Sequence, residues 1–184
     1  MKSKWLLLAL PLLLTACGYN TIQTMDESAA ASKQQIEVQL QRRADLVPNL
    51  VETVKGYAAQ ESSIFVAVAE ARAGLVGAVR GGNVGQMATA NDAMSGALGR
   101  LLAISENYPT LKSDQSFLRL QDELAGTENR IAVSRTDYNN AVRDYNAYIR
   151  KFPAVLTAKV TGAKSREYFE VTSAAAKEVP TVKF

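Results

Sequence analysis

The chain has 184 residues, of which 47% are hydrophobic and 21% charged, and its formal net charge is +3. This length suits one domain of ordinary size, and the composition excludes a disordered or collagen-like chain. The sequence contains no histidine, which excludes His-based catalysis and the commonest zinc sites, and its single cysteine excludes an intrachain disulfide and a paired-cysteine metal site.

The N-terminal segment has the pattern of an export signal. Lys2 and Lys4 precede an apolar run over residues 5–14, which is shorter than the roughly 20 residues that a bilayer-spanning helix needs. The run leads into Leu14-Thr15-Ala16-Cys17, which resembles the lipobox of bacterial lipoproteins. The resemblance implies a signal peptide over residues 1–16 and a lipidated anchor over 17–21, with the acyl chains on Cys17. The alternative is a plain secretory signal with an unrelated cysteine.

Location and partners follow from that anchor. In proteins similar to enterobacterial lipoproteins, Gly18 in place of Asp favours the outer membrane, so we expect a cell-envelope protein on the periplasmic face of that membrane. No other apolar run of spanning length is evident, so attachment is expected to depend wholly on Cys17. Removing residues 1–16 leaves 19 basic and 18 acidic side chains, and this balance implies neither nucleic acid nor anionic lipid as a partner.

From Ile22 onward the sequence predicts helix almost throughout, because apolar positions recur every three or four residues and strand-like alternation is missing. Pro48 cannot donate a helix hydrogen bond, and Asp45 is placed to cap a new helix there. We therefore expect a break or a strong kink between residues 43 and 48. The predicted buried stripe comprises Ile36, Leu40, Arg43, Val47, Leu50, Val54, Tyr57, Glu61, Ile64, Val68, Arg72, Leu75 and Val79.

Two more long helices are predicted. Asn83 follows a pair of glycines and caps the second helix, which stops before Pro109; Ser113 or Asp114 caps the last one, and Pro153 ends it. We expect an all-α fold over residues 22–170, an antiparallel four-helix bundle of long helices, followed by a C-terminal tail over 171–184. The stripe of the last helix comprises Phe117, Leu120, Leu124, Ile131, Tyr138, Val142, Tyr145, Ile149 and Phe152.

Polar side chains interrupt these apolar stripes. Buried charges and amides destabilise a fold unless they are paired, so each must either pair across the bundle, where it helps to fix the register, or line a groove that binds a partner. Glu128 and Arg135 are seven residues apart on the last helix, as are Asn139 and Asn146, each of which follows a tyrosine. The candidate residues for a partner site or a core network are Arg43, Asp45, Asn49, Glu128, Arg135, Asn139 and Asn146.

Three long motifs identify a family resemblance. Residues 39–58, with the sequence QLQRRADLVPNLVETVKGYA, are similar to the central motif of the bacterial LemA family. Residues 97–109 and 120–132, followed by the two Tyr-Asn pairs and Phe152-Pro153, also resemble that family. The resemblance covers roughly residues 19–170. It implies a membrane-anchored helical bundle of unestablished molecular function, without accepted catalytic residues. Similar proteins often begin with a true transmembrane helix, where this chain has the lipobox.

Two hypotheses about function follow. The first is a non-enzymatic, lipid-anchored module that binds or organises another envelope protein and needs no metal or cofactor. The second is an enzyme, or an accessory subunit of one such as a membrane protease system. A deep pocket holding Arg43, Glu128 and Arg135 would favour the second hypothesis, and a flush, fully paired core the first.

The last residues suggest a partner class. Val182, Lys183 and Phe184 follow Pro180, which favours an extended chain, and an extended apolar C-terminus resembles the peptides that PDZ domains bind by strand addition. The alternative is that Val182 and Phe184 pack back onto the helices.

Overall fold

The computed structural model describes the backbone of residues 3–170 and the side chains of residues 18–170. This part of the chain contains helices and no strand, which confirms the all-α prediction, whereas the antiparallel four-helix arrangement stays a prediction. The signal-peptide side chains, that of Cys17, and the tail over 171–184 lie outside the described residues. The helices are α1 (Ser3–Ala58), α2 (Ser62–Gly81), α3 (Val84–Ala103), a 3-10 turn (Ile104–Asn107), α4 (Pro109–Lys112), α5 (Gln115–Tyr148) and α6 (Ala154–Thr161).

Of the two alternatives predicted near Pro48, the break is wrong, because α1 continues through this residue to Ala58, and the kink stays a prediction. Pro48 has no N–H to donate to the carbonyl of Ala44, four residues earlier. That carbonyl instead accepts a hydrogen bond of 2.8 Å from Nε of Arg72 on α2. A side chain from a neighbouring helix therefore satisfies the backbone group that the proline leaves unpaired. The chain breaks later, in the turn that precedes α2.

The end of α2 and the starts of α3 and α5 follow the predicted caps. Gly82 ends α2 in the left-handed region at φ 66°, and Oδ1 of Asn83 accepts a hydrogen bond from the backbone N–H of Gln86 at the start of α3. Asp114 caps α5 through a 2.8 Å hydrogen bond from the N–H of Phe117. The expected end of the last helix is wrong, since α5 stops at Tyr148.

The turn after α5 also changes the predicted stripe. Phe152 is 81% exposed and lies outside the helix, so it does not extend the buried face of α5. Pro153 stands immediately before α6, where its fixed φ is compatible with the first turn of a helix. At the other end of the first stripe, Tyr57 is exposed and Phe65 is buried where Ile64 was expected.

The chain divides into two compact units, and α1 and α5 contribute residues to both. Among the described residues, the first unit contains residues 3–35 and 134–168, and the second contains residues 36–133 and 169–170. In the first unit a buried cluster is formed by Ile22, Tyr145, Ile149 and Ala158, with Met25, Tyr148 and Ala163 packed against it. The largest fully buried side chains of the second unit include Leu40, Leu50, Leu75, Met87, Met94, Leu101, Leu111, Phe117 and Ile131.

Candidate binding cleft

Arg43 is the buried charge of the second unit. The helical spacing of α1 places it on the stripe that includes Leu40, Val47 and Leu50, and only 5% of its surface is exposed. Its Nη1 donates a 2.7 Å hydrogen bond to Oδ1 of Asn91 on α3 and lies 2.6 Å from Oε2 of Glu128 on α5. The guanidinium group therefore joins three helices of this unit.

One N–H donor of Arg43, that of Nε, takes no part in these contacts. Its Nε is buried and has no hydrogen-bond partner, which is costly for a charged group inside a protein. Burial lowers the pKa of Arg43, while the nearby charge of Glu128 acts in the opposite direction and raises it. An arginine keeps its proton under all ordinary conditions, so this site holds a permanent cation with spare hydrogen-bonding capacity.

An open cleft of about 360 Å³ lies over this group. The side chain of Glu128 is 48% exposed at the cleft, so its carboxylate remains in contact with water while it pairs with Arg43. A Cβ built on Gly99 would meet nothing within 4 Å, so the cleft is unobstructed there. Besides the ion pair, the lining consists of Ser95, Leu98, Gly99, Leu102, Gln121, Leu124 and Ala125. An apolar surface around an arginine suits an apolar group that carries a hydrogen-bond acceptor.

Asn146 belongs to a separate polar cluster in the first unit. It is buried, and its side-chain amide exchanges two 2.9 Å hydrogen bonds with the backbone N–H and carbonyl of Arg166. Nε of Arg166 lies 2.7 Å from Oδ1 of Asp26 on α1, and the hydroxyl of Tyr138 donates to the carbonyl of Glu167 at 2.8 Å. This cluster fixes the segment after α6 against α1 and α5.

Asp26 and Arg166 in that cluster stabilise each other's ionised form. The hydrogen bond from Arg166 is the main cause that lowers the pKa of Asp26, and the hydrogen bond to Asp26 raises the pKa of Arg166. The pKa of Tyr145 is raised, first by burial and then by the charge of Asp26. The shifts of Asp26 and Arg166 both favour the ion pair between them, so the cluster has the character of a structural clamp.

The remaining predicted residues lie elsewhere. Asp45 is exposed in the middle of α1, where Oδ1 accepts a 2.8 Å hydrogen bond from Gln41, so it does not cap a helix. Asn49 is exposed on α1, while Arg135 and Asn139 are half-buried on the part of α5 that belongs to the first unit. The structure thus brings together only Arg43 and Glu128 from the predicted set at the cleft.

Sequence reasoning missed three members of these clusters as site residues. Asn91 has helical spacing with the apolar residues Met87, Met94 and Leu98 of the second helix, so a polar residue on an apolar face was the available signal. Asp26 and Arg166 are 140 residues apart, and no local pattern pairs them. Among residues 18–170, no group of three His, Cys, Asp or Glu side chains is placed to hold a metal ion.

Sequence reasoning also missed the apolar character of α2. Among the helices searched in the described part of the chain, α2 is the one long and apolar enough to cross a membrane. This criterion uses length and composition alone, and core helices of soluble proteins also satisfy it. Here α2 buries Phe65, Val68 and Leu75 within the second unit, and Arg72 in its middle hydrogen-bonds to α1.

Comparison with known proteins identifies the family. The LemA family model matches residues 32–184. The chain belongs to the LemA family. This confirms the predicted resemblance, and the segment with the lipobox lies outside the matched region of this LemA-family chain.

Curated relatives of this LemA-family chain include the magnetosome proteins MamQ 1 and MamQ 2 of Paramagnetospirillum magneticum. Each is 35% identical over 175 residues, which cover 83% of this chain and 64% of the relative. Magnetosome protein MamQ of Magnetospirillum gryphiswaldense is 34% identical over 174 residues, covering 82% of this chain and 64% of the relative. The chain therefore spans slightly less than two thirds of the length of these relatives.

Proposed function

We propose that this chain is a non-enzymatic, lipid-anchored helical protein of the bacterial cell envelope that binds another envelope protein through the cleft over Arg43. The observation that carries the proposal is a buried, permanently charged arginine whose Nε has no partner and whose counter-ion, Glu128, is half-exposed beside an open cleft. An acceptor group on a partner can compete with Glu128 for the guanidinium without exposing any further core.

The partner group has a definable chemistry. Apolar side chains on the rim of the cleft favour an apolar side chain, and Arg43 favours a neighbouring carboxylate or carbonyl. A binding site of this kind needs few polar contacts, because a buried charge-assisted hydrogen bond contributes more to affinity and orientation than an exposed one.

Attachment to the envelope rests on the lipobox. Acylation of Cys17 with two or three chains would hold the protein stably on a membrane, since one chain alone is marginal. Gly18 supports the outer membrane, facing the periplasm, as the destination. The relatives have a name that refers to a cellular structure and not to a reaction, which supports a binding or organising role.

The enzyme alternative receives less support. It required Arg43, Glu128 and Arg135 in one pocket, but Arg135 belongs to the other compact unit. An accessory role towards an envelope enzyme is one form of the proposed binding function, with the enzyme as the partner. Binding of a PDZ domain by Val182, Lys183 and Phe184 is a separate proposal that concerns residues outside the described part of the chain.

Site-specific photocrosslinking in intact membranes tests the proposal. A photoreactive amino acid replaces the exposed Gln121 in the cleft, and a matched control replaces Val133, which is 62% exposed on the same helix. We expect a discrete crosslinked envelope protein from the Gln121 position and none from the Val133 position. Equal crosslinking from both positions, or none from the cleft, would contradict the proposed binding site.

A further inference from the structure

An exposed apolar face stands out in the first unit. Phe152, Leu156 and Val160 are 81%, 54% and 83% exposed and follow one another at intervals of four residues, the last two on α6. Residues four apart lie on the same side of a helix. The opposite side of α6 is buried through Ala154, Thr157 and Ala158. Leu156 and Val160 therefore form an exposed apolar side of α6, opposite its buried side, and Phe152 is exposed in the turn just before the helix.

This face lies close to the predicted anchor. A Cβ built on Gly18 of α1 would stand 3.5 Å from Oγ1 of Thr157 and 3.6 Å from Cα of Ala154. The buried side of α6 therefore packs directly on the residue that follows Cys17. If the lipid on Cys17 is inserted in a bilayer, α6 lies at the level of its headgroups. Tyr19, the next residue of α1, is 46% exposed and provides an aromatic side chain at the same level.

The chain segment that contains α6 is basic, although Asp144 and Glu167 flank it and Asp26 pairs with Arg166. Residues 145–166 contain no acidic side chain and five basic ones, although the whole chain is nearly neutral without its signal peptide. Arg166 is occupied by Asp26, whereas Lys151, Lys159 and Lys164 are exposed. Sequence-wide net charge concealed this cluster and led to the expectation that anionic lipid is not a partner. Exposed lysines around an apolar patch suit anionic headgroups, whereas the cores of protein interfaces are depleted in lysine.

We infer that Phe152, Leu156 and Val160, with the surrounding lysines, form a second membrane contact that binds the surface of a bilayer containing anionic phospholipid. This inference rests on the proposed anchor for its position beside the membrane. The apolar side chains insert among the headgroups, as in interfacial amphipathic helices, and the lysines contact the lipid phosphates. The two contacts together orient the first unit on the membrane, where a flexible lipid tether alone leaves it free to rotate.

Tryptophan fluorescence tests this contact in the full-length protein, processed in cells and reconstituted into vesicles of phosphatidylcholine with phosphatidylglycerol. The only tryptophan, Trp5, lies in the predicted signal peptide, so Leu156→Trp and, separately, Val160→Trp introduce a single reporter into the mature chain. We expect blue-shifted emission that is quenched by brominated lipids for both variants. Val133→Trp, exposed in the second unit, is the matched control and should not be quenched.

A binding assay completes the test and separates it from the anchor. In the processed, exported form of a Cys17→Ser background, Leu156→Glu should weaken binding to these vesicles by about tenfold or more, because a carboxylate replaces the exposed leucine that inserts among the headgroups. Emission at positions 156 and 160 that is blue-shifted yet unaffected by brominated lipids would indicate a protein partner and overturn the inference. Mass spectrometry of the N-terminus reports the anchor independently: an acylated Cys17 with unquenched reporters refutes only the second contact, and quenched reporters without acylation refute only the anchor.

Discussion

Arg43 is the residue on which the proposed binding function depends. Replacing a buried ion pair by apolar groups is often neutral or stabilising, so a pair this costly is not explained by stability alone. Glu128 is half-exposed, so its charge is solvated even when Arg43 is removed. Removal of Arg43 does leave Oδ1 of the buried Asn91 without its donor, which should cost about 1–3 kcal/mol, so Asn91→Ala, which keeps the arginine, is the control for this structural effect.

Tyr145 tests the core of the first unit at the level of one residue. It packs with Ile22, Ile149 and Ala158, as the sequence predicted for a buried stripe position. Tyr145→Ala should reduce the free energy of unfolding by about 3–5 kcal/mol, because it leaves a cavity where an aromatic ring was buried. Tyr145→Phe, the control, keeps the ring and should lose only about 1 kcal/mol. An unchanged melting temperature for Tyr145→Ala, with loss of partner binding alone, would instead place Tyr145 on an interaction surface.

Asp26 gives the clamp a predictable dependence on pH. Its pKa is lowered in the folded state, first by the hydrogen bond from Arg166, so the ionised form stabilises the fold above the ordinary carboxyl pKa of about 3.9. This contribution is lost as the pH falls below that value and through the lower folded-state pKa. Because the pair is partly exposed, the effect should be about 1 kcal/mol or less. Urea titrations at pH 7 and pH 3 should show a smaller loss of stability in Asp26→Asn than in the native chain; an identical loss would contradict this account.

At the scale of the helix, Pro48 and Arg72 form a coupled pair. The Nε of Arg72 occupies the carbonyl of Ala44 that Pro48 leaves without its helical partner. Arg72→Met should therefore reduce the free energy of unfolding by about 1–3 kcal/mol. The buried carbonyl of Ala44 would then lose the side-chain N–H that takes the place of the missing N–H of Pro48. In a Pro48→Ala background the helix supplies its own N–H, and the same substitution should have a much smaller effect.

A double-mutant cycle with chemical denaturation measures this coupling. Arg80→Met, an exposed arginine at the end of α2, is the matched control and should change stability by less than about 0.5 kcal/mol in either background. Equal effects of Arg72→Met with and without Pro48 would show that Arg72 does not compensate for the proline.

The helices themselves were largely predictable, and the reasons for the exceptions are physical. Apolar spacing and the Asn83 and Asp114 caps depend on nearby residues, and the structure confirms them. The continuity of α1 through Pro48 depends on Arg72, which is 28 residues from Ala44, so no local rule can anticipate it. Phe152 fits the helical spacing but follows the end of α5, and spacing alone does not reveal where a helix stops.

The cleft was predictable only in part. Arg43 and Glu128 were identified because charged residues on an apolar stripe are conspicuous. Their pairing was not, because it joins α1 to α5 across a large separation in the chain. Asp45 and Asn49 are not on the predicted buried stripe of the first helix, and both are exposed. The sequence can mark candidate polar residues, but only the tertiary contacts decide which of them lie together at the cleft.

At the scale of the whole molecule, stable attachment to the membrane is expected to come from the lipid on Cys17. Cys17→Ala should leave an uncleaved precursor or an exported protein that a high-salt wash releases from the membrane, because the lipobox chemistry requires the thiol and salt weakens the contact made by the lysines near α6. Fractionation and metabolic labelling with a fatty acid measure this. A variant that stays membrane-bound after a high-salt wash, processed and free of lipid, would assign attachment to another segment, such as the apolar helix α2, and contradict the predicted anchor.

Binding through the cleft is the central claim, and one measurement tests it most directly: the yield of the Gln121 crosslink in membranes from cells with native Arg43 and with Arg43→Met. Loss of a buried charge-assisted hydrogen bond of about 1.5–3 kcal/mol predicts a fall in yield of roughly tenfold or more. The melting temperature should fall by a few degrees, as in Asn91→Ala, because each variant breaks the hydrogen bond between these two residues, while the amount of membrane-bound protein should stay close to the native value and Asn91→Ala should keep the crosslink. An undiminished crosslink in Arg43→Met would contradict the claim that this arginine binds the partner.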